Sequence, residues 1–107
     1  MKAPHFYILL TLSQEDRHGL AIAREVQALS DSRVRLWPAS LYGSLEELRN
    51  RRWIEELSDH PADESERRRY YRLTRSGRQA LAAEAEHMSR IARLARSRVR
   101  PRTGEAR

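Results

Sequence analysis

In Pro38-Ala39-Ser40-Leu41-Tyr42-Gly43-Ser44-Leu45-Glu46-Glu47-Leu48-Arg49-Asn50-Arg51-Arg52, the leucines at 41, 45 and 48 recur at spacings of four and three. That is the period of one buried face of a helix. Pro38 suits the first helical position, where its missing N–H would have had no intrahelical partner. Away from the leucines the side chains are short: Ala39, Ser40 and Gly43, with Tyr42 and Ser44 on the flanks. Arg49, Arg51 and Arg52 gather at the far end. A helix that buries one side and keeps the other low at its start can enter a DNA major groove. Glu46 and Glu47 confine any such approach to the first turns. An ordinary amphipathic surface helix shows the same leucine spacing, so the neighbouring segments have to decide.

Upstream, residues 4–13 predict a short helix, with Phe6, Leu9 and Leu10 on one face and Ile8 and Leu12 widening it. So many apolar side chains imply burial on several sides. Residues 14–18 are polar and turn-like. Gly19 leads into a second helix over 20–29, with Ile22, Val26 and Leu29 inward, ended by Ser30-Asp31-Ser32. In Arg33-Val34-Arg35-Leu36-Trp37 polar and apolar residues alternate, which predicts a short strand over 34–36. Trp37 and Trp53 flank the leucine-bearing helix. Either could line a ligand pocket, but large aromatics beside a small helix belong more often to the core.

Downstream, Trp53-Ile54 opens a β-prone stretch and Arg69-Tyr70-Tyr71-Arg72-Leu73 is a second, with Tyr71 and Leu73 on one face. Residues 59–66 between them carry four acids and cannot build a core. The result is a hairpin with a long charged tip. Thr74 is an N-cap candidate for a long helix over 79–97. Along it Leu81, Met88 and Ala95 lie seven apart, with Ile91, Ala85 and Ala92 beside them, a seam of about two heptads. The seam suits a twin helix better than packing back on the same subunit. Residues 98–107 have the composition of a disordered basic tail. The expected class is mostly α with a small β-hairpin, a winged helix-turn-helix (1–73) plus a C-terminal dimerisation helix (74–97).

The chain's 107 residues allow one small domain, and no apolar run approaches a membrane span. Met1-Lys2-Ala3-Pro4 is not followed by a signal-peptide pattern, and the absence of cysteine excludes disulfides and thiolate chemistry. A reduced, cytoplasmic setting is expected. The net charge of +6 is unevenly placed: residues 1–58 balance, whereas 67–107 hold thirteen arginines against three glutamates. Such clustering is an electrostatic footprint for phosphate or nucleic acid. The histidines at 5, 18, 60 and 87 are scattered. His60 with Asp59 and Asp63 could hold a metal, but a plain acidic loop is far the better reading. No nucleophile–base arrangement or glycine-rich phosphate loop is visible, so neither enzymatic activity nor a cofactor is expected.

Taken in order, these segments resemble the PadR-like transcriptional regulators, in the compact class with a single C-terminal helix. His18-Gly19-Leu20-Ala21-Ile22 is similar to the family's His/Tyr-Gly-Tyr-x-Ile start of the second helix. Pro38-Ala39-Ser40-Leu41-Tyr42 resembles its Pro-Gly-Thr-Leu-Tyr signature. Trp53-Ile54 sits at its Gly-Leu-Ile-like strand start. Arg69-Tyr70-Tyr71-Arg72-Leu73-Thr74 followed by Gly77 resembles Lys-Tyr-Tyr-x-Leu-Thr-x-x-Gly at the end of the wing. The likeness covers about residues 4–96. Ala39, Ser40 and Gly43 depart from the commonest residues there, so no operator carries over. The resemblance implies a homodimeric repressor on a palindromic double-stranded operator, and leaves room for a small aromatic effector.

Expected DNA contacts are Ser40, Tyr42, Gly43 and Ser44 on the helix, Arg49 at its end, and Arg67, Arg68 and Arg69 at the wing, where phosphate or a minor groove favours arginine. Arg49, Arg51 and Arg52 could equally pair with Glu46, Glu47, Glu55 and Glu56. The dimer seam is Leu81, Ala85, Met88, Ile91, Ala92 and Ala95. A different class of function, a winged-helix module for a protein partner with only non-specific affinity for nucleic acid, fits the same pattern.

Overall fold

A computed structural model describes residues 1–57 and 69–101. Helix α1 (Ala3–Leu12) is followed by strand β1 (Arg17–His18), helices α2 (Gly19–Leu29) and α3 (Pro38–Asn50), strands β2 (Ile54–Leu57) and β3 (Tyr70–Leu73), and helix α4 (Arg75–Val99). The three strands form one antiparallel sheet in the order β1-β3-β2. Ile54 lies opposite Leu73 and Leu57 opposite Tyr70, while Arg17 lies opposite Tyr71.

The core joins all of these elements. Ile8, Leu9 and Leu12 of α1 meet Ile22 and Val26 of α2, Leu41, Leu45 and Leu48 of α3, and Ile54, Tyr71 and Leu73 of the sheet. Each such side chain, fully buried, contributes roughly 1.5–3 kcal/mol. α1 sits at the centre, in contact with α2, α3, α4 and β3, which accounts for its apolar character on more than one side. Tyr71 and Leu73 share the buried face of β3, as period-two alternation requires.

Helix ends show why the boundaries fall where they do. Thr74 accepts the Gly77 N–H at 3.0 Å through its hydroxyl and starts α4. That hydroxyl also donates to the Arg52 carbonyl at 2.6 Å, so the cap doubles as a latch between α3 and α4. α3 ends in a Schellman motif: the Trp53 N–H bonds the Leu48 carbonyl and the Arg52 N–H the Arg49 carbonyl. The left-handed residue of that motif is Arg52, with φ 62°. Gly77 is required by space, since a Cβ there would lie 1.9 Å from the Trp53 carbonyl oxygen.

Four expectations are corrected. Leu29, expected inward, is 44% exposed at the last position of α2. The expected strand over 34–36 does not form. Both neighbours of β3 are taken, by β1 and β2, and the Ser30 hydroxyl instead accepts the Val34 N–H at 2.9 Å. The alternation is real nevertheless, because Val34 and Leu36 pack on the core while Arg33, Arg35 and Trp37 face solvent. Residues 17–18, expected as turn, supply the third strand, so the hairpin is part of a three-stranded sheet. Trp37 is not in the core: 67% of it is exposed. Trp53 is half-buried, with the Arg51 guanidinium 5.0 Å above its ring.

The molecule is elongated, 65 × 26 × 21 Å, because α4 outruns the domain. Its 25 residues span about 37 Å. The helix continues through Arg98 and Val99, two residues beyond the expected end. No helix among the described residues is long and apolar enough to cross a membrane.

Candidate nucleic-acid interface

α3 buries Leu41, Leu45 and Leu48 and leaves Ala39, Ser40, Tyr42 and Gly43 exposed, with Ser44 half-buried. The structure thus places four of the five small or flanking residues on one open surface over the first two turns. A Cβ built on Gly43 meets nothing within 4 Å. Packing inside the subunit does not demand glycine there, and glycine inside a helix costs about 1 kcal/mol relative to alanine. What it provides is a low spot where another backbone can approach.

Ser40 is partly committed. Its hydroxyl accepts the Trp37 N–H at 3.0 Å and donates to the Trp37 carbonyl at 3.0 Å, satisfying a donor at the helix start. Tyr42 is 47% exposed. Its ring lies across the start of α2, where a Cβ on Gly19 would come within 3.0 Å of the phenolic oxygen and 3.4 Å of Cε1. Gly19 is therefore the seat that lets the Tyr42 ring lie over α2 while about half of the residue stays exposed. Immediately before it, His18 Nδ1 accepts the Ala21 N–H at 3.3 Å and caps α2, and its ring meets Tyr70 edge-on at 5.6 Å. This His18-Gly19 joint locks α2, α3 and the sheet together, a role that sequence periodicity does not reveal. The usable signal was a glycine standing directly at a helix start.

The arginines divide by partner. Arg49 pairs with Glu46 at 3.3 Å, Arg72 holds Glu55 Oε1 through Nε at 2.9 Å and Nη2 at 2.6 Å, and Arg69 lies 3.8 Å from Glu56. These exposed pairs stabilise the fold by little, about 0–1 kcal/mol each. They do neutralise the outer face of β2 and β3. Arg67, Arg68 and the candidate set His60, Asp59 and Asp63 lie outside the described residues.

Further along α3, Glu47 Oε2 is held by Lys2 at 3.2 Å and stands 3.7 Å from the buried His5 Nε2. The Lys2 hydrogen bond holds the Glu47 carboxyl below its usual range. Burial pushes the His5 imidazole down, against the pull of Glu47. His5 Nε2 is buried and has no hydrogen-bond partner among the described residues.

α4 carries the expected seam. Leu81 is half-buried against the subunit's own core, and Ala92 is half-buried. Ala85 and Ala95 are exposed, and so are Met88 at 45%, Ile91 at 51% and Leu94 at 44%. Spaced three apart, the last three line one side of the free part of the helix. Leu94 belongs to that stripe although the heptad reading passes over it.

This arrangement agrees with comparisons to known proteins. The model of the transcriptional regulator PadR-like family matches residues 8–83. An uncharacterized 37.1 kDa protein in transposon TN4556 of Streptomyces fradiae is 34% identical over 84 residues, which is 78% of this chain. The chain spans 22% of that protein's length. A PadR family transcription regulator from Clostridium difficile superposes with a TM-score of 0.78 over 92% of this chain and 100% of that one, at 21% identity. A transcriptional regulator from Clostridium thermocellum gives 0.74 at 22% identity, covering 90% and 92%. RosR of H. salinarum gives 0.67 at 30% identity, covering 82% and 74%. With most of its length matched by the family model and its helices and sheet arranged as in those regulators, the chain belongs to the PadR-like family of transcriptional regulators.

Proposed function

We propose that the protein is a homodimeric, sequence-specific DNA-binding repressor that places α3 in the major groove of each half of a palindromic operator. The observation that carries this reading is the open, low surface of α3's first turns, Ala39, Ser40, Tyr42 and Gly43, set on a leucine-anchored helix. Base edges are reached by Tyr42 and Ser44, with Gly43 admitting close approach and Ser40 contributing its remaining lone pair. Arg67, Arg68 and Arg69 contact phosphate, which adds affinity without sequence information. Arg49 is drawn from Glu46 to phosphate when DNA is bound. The α4 stripe of Met88, Ile91 and Leu94 pairs with its twin, with Ala85, Ala92 and Ala95 allowing close packing and Leu81 anchoring the helix root.

Selection of bound duplexes from a random-sequence pool tests the reading. A two-fold symmetric consensus is expected, with half-sites about one helical turn apart or a multiple of it. A bound pool without consensus would sink sequence-specific recognition and leave the protein-interaction module as the better account.

A further inference from the structure

α2 and α3 are joined by residues 30–37, and that segment is built unlike a loose connector. Asp31 and Ser32 both adopt left-handed backbone, with φ 53° and 63°. The Ser32 N–H bonds the Gln27 carbonyl at 2.8 Å and the Arg33 N–H the Ser30 carbonyl at 3.0 Å. Ser30, itself buried, grips the segment from beneath: its hydroxyl accepts the Val34 N–H at 2.9 Å and lies 3.3 Å from the Val34 carbonyl. Val34 and Leu36 then pack down on the core.

This anchoring turns every second side chain outward. Arg33, Arg35 and Trp37 are all exposed, and they lead directly into the first turn of α3. Arg49, Arg69 and Arg72 each have a carboxylate beside them. Arg33 and Arg35 have no ion-pair or hydrogen-bond partner among the described residues. Asp31, in the same turn, bonds neither. Two uncompensated guanidinium groups on a rigid backbone form a fixed positive edge, and the indole of Trp37, 67% exposed, extends it with an apolar plate.

We propose that Arg33, Arg35 and Trp37 form a second DNA contact, adjoining the α3 surface, that grips the sugar–phosphate backbone flanking each half-site. The two arginines bind successive phosphates and Trp37 lies against the deoxyribose between them and the groove. This inference rests on the DNA-binding reading of α3. Its contacts are sequence-independent, because phosphate and sugar carry no base identity. The chemistry chosen is that of a polyanion with apolar sugar faces, which matches cation and plate in one strip.

The full-length protein and its variants are titrated against labelled operator recovered by selection and against a mixed-sequence duplex, at several salt concentrations. Arg33→Ala/Arg35→Ala should weaken binding to both duplexes and lower the salt slope by about two units, one for each phosphate that is no longer neutralised. Arg33→Lys/Arg35→Lys should restore the slope. Trp37→Ala should cost about tenfold in affinity on both duplexes alike, the worth of one buried apolar side chain. With Trp53→Phe, Trp37 is the sole tryptophan of a chain that holds two; its emission should change when unlabelled duplex is added. Circular dichroism confirms that each variant is folded. Wild-type binding with an unchanged salt slope in the alanine pair, or an unresponsive Trp37, overturns this inference and leaves α3's role standing. Failure of the wild-type protein to bind either duplex overturns both.

Discussion

Two glycines, thirty-four residues apart in the chain, make opposite demands. At Gly77 a side chain has no room, because its Cβ would sit 1.9 Å from the Trp53 carbonyl oxygen. Gly77→Ala must push α4 off the end of β2, and a loss of about 3 kcal/mol or more is expected in chemical denaturation. At Gly43 a side chain meets nothing, so Gly43→Ala should stabilise the isolated protein by about 1 kcal/mol while weakening operator binding. A variant that gains stability and binds operator as tightly as wild type would remove Gly43 from the interface. Arg52 shows the reverse problem, a bulky residue with φ 62° in the left-handed position of a Schellman motif. Arg52→Gly relieves a conformational cost of about 1–2 kcal/mol, offset in part by greater freedom of the unfolded chain. A higher melting temperature is expected.

Between elements, α1 and α3 meet at a small polar cluster of His5, Glu47 and Lys2. Burial depresses the His5 pKa from its ordinary 6.5. The unfolded chain then takes up a proton below that pH which the folded chain refuses, so stability is complete above 6.5 and falls as the pH drops below it. Glu47, depressed from 4.5 by its Lys2 hydrogen bond, contributes stability that is lost only at still lower pH. Denaturation midpoints should therefore decline as the pH falls below 6.5, and His5→Leu should flatten part of that decline. A His5→Leu protein with the wild-type slope would show that another group titrates there. α3 itself illustrates how far local pattern reaches: the three leucines are buried as their spacing requires, yet nothing in the pattern shows that Tyr42 would rest on Gly19 of a different helix.

For the molecule as a whole, the long arm of α4 is the feature that a lone subunit explains least. Met88, Ile91 and Leu94 lie about half exposed along it, and a small domain that leaves such a stripe open gains from pairing it. Met88→Asp introduces a charge that a twin helix would have to bury, at a cost of several kcal/mol. Light scattering should then report monomers, and operator binding should fall steeply because two half-sites no longer act together. A Met88→Asp protein that stays dimeric at low concentration would place the interface elsewhere.

The leucine period of α3, the Thr74 cap and the buried face of β3 were legible in the chain, because each depends on neighbours within a few residues or on a pattern shared with a known family; Gly77 was legible only as part of that pattern, since what leaves no room for a side chain there is the Trp53 carbonyl. The exposed residues of α3's first turns followed from the same periodicity once the buried face was known. Other features needed the fold. Residues 17–18 became a strand only because β3 had a free edge beside them, and residues 34–36 stayed out of the sheet because the Ser30 hydroxyl holds both the N–H and the carbonyl of Val34. Trp37 turned outward because Val34 and Leu36, held by Ser30, claimed the side facing the core. Strand pairing and burial are decided by what lies across from a residue, and the chain's own order does not record which partner reaches an open edge or a core face.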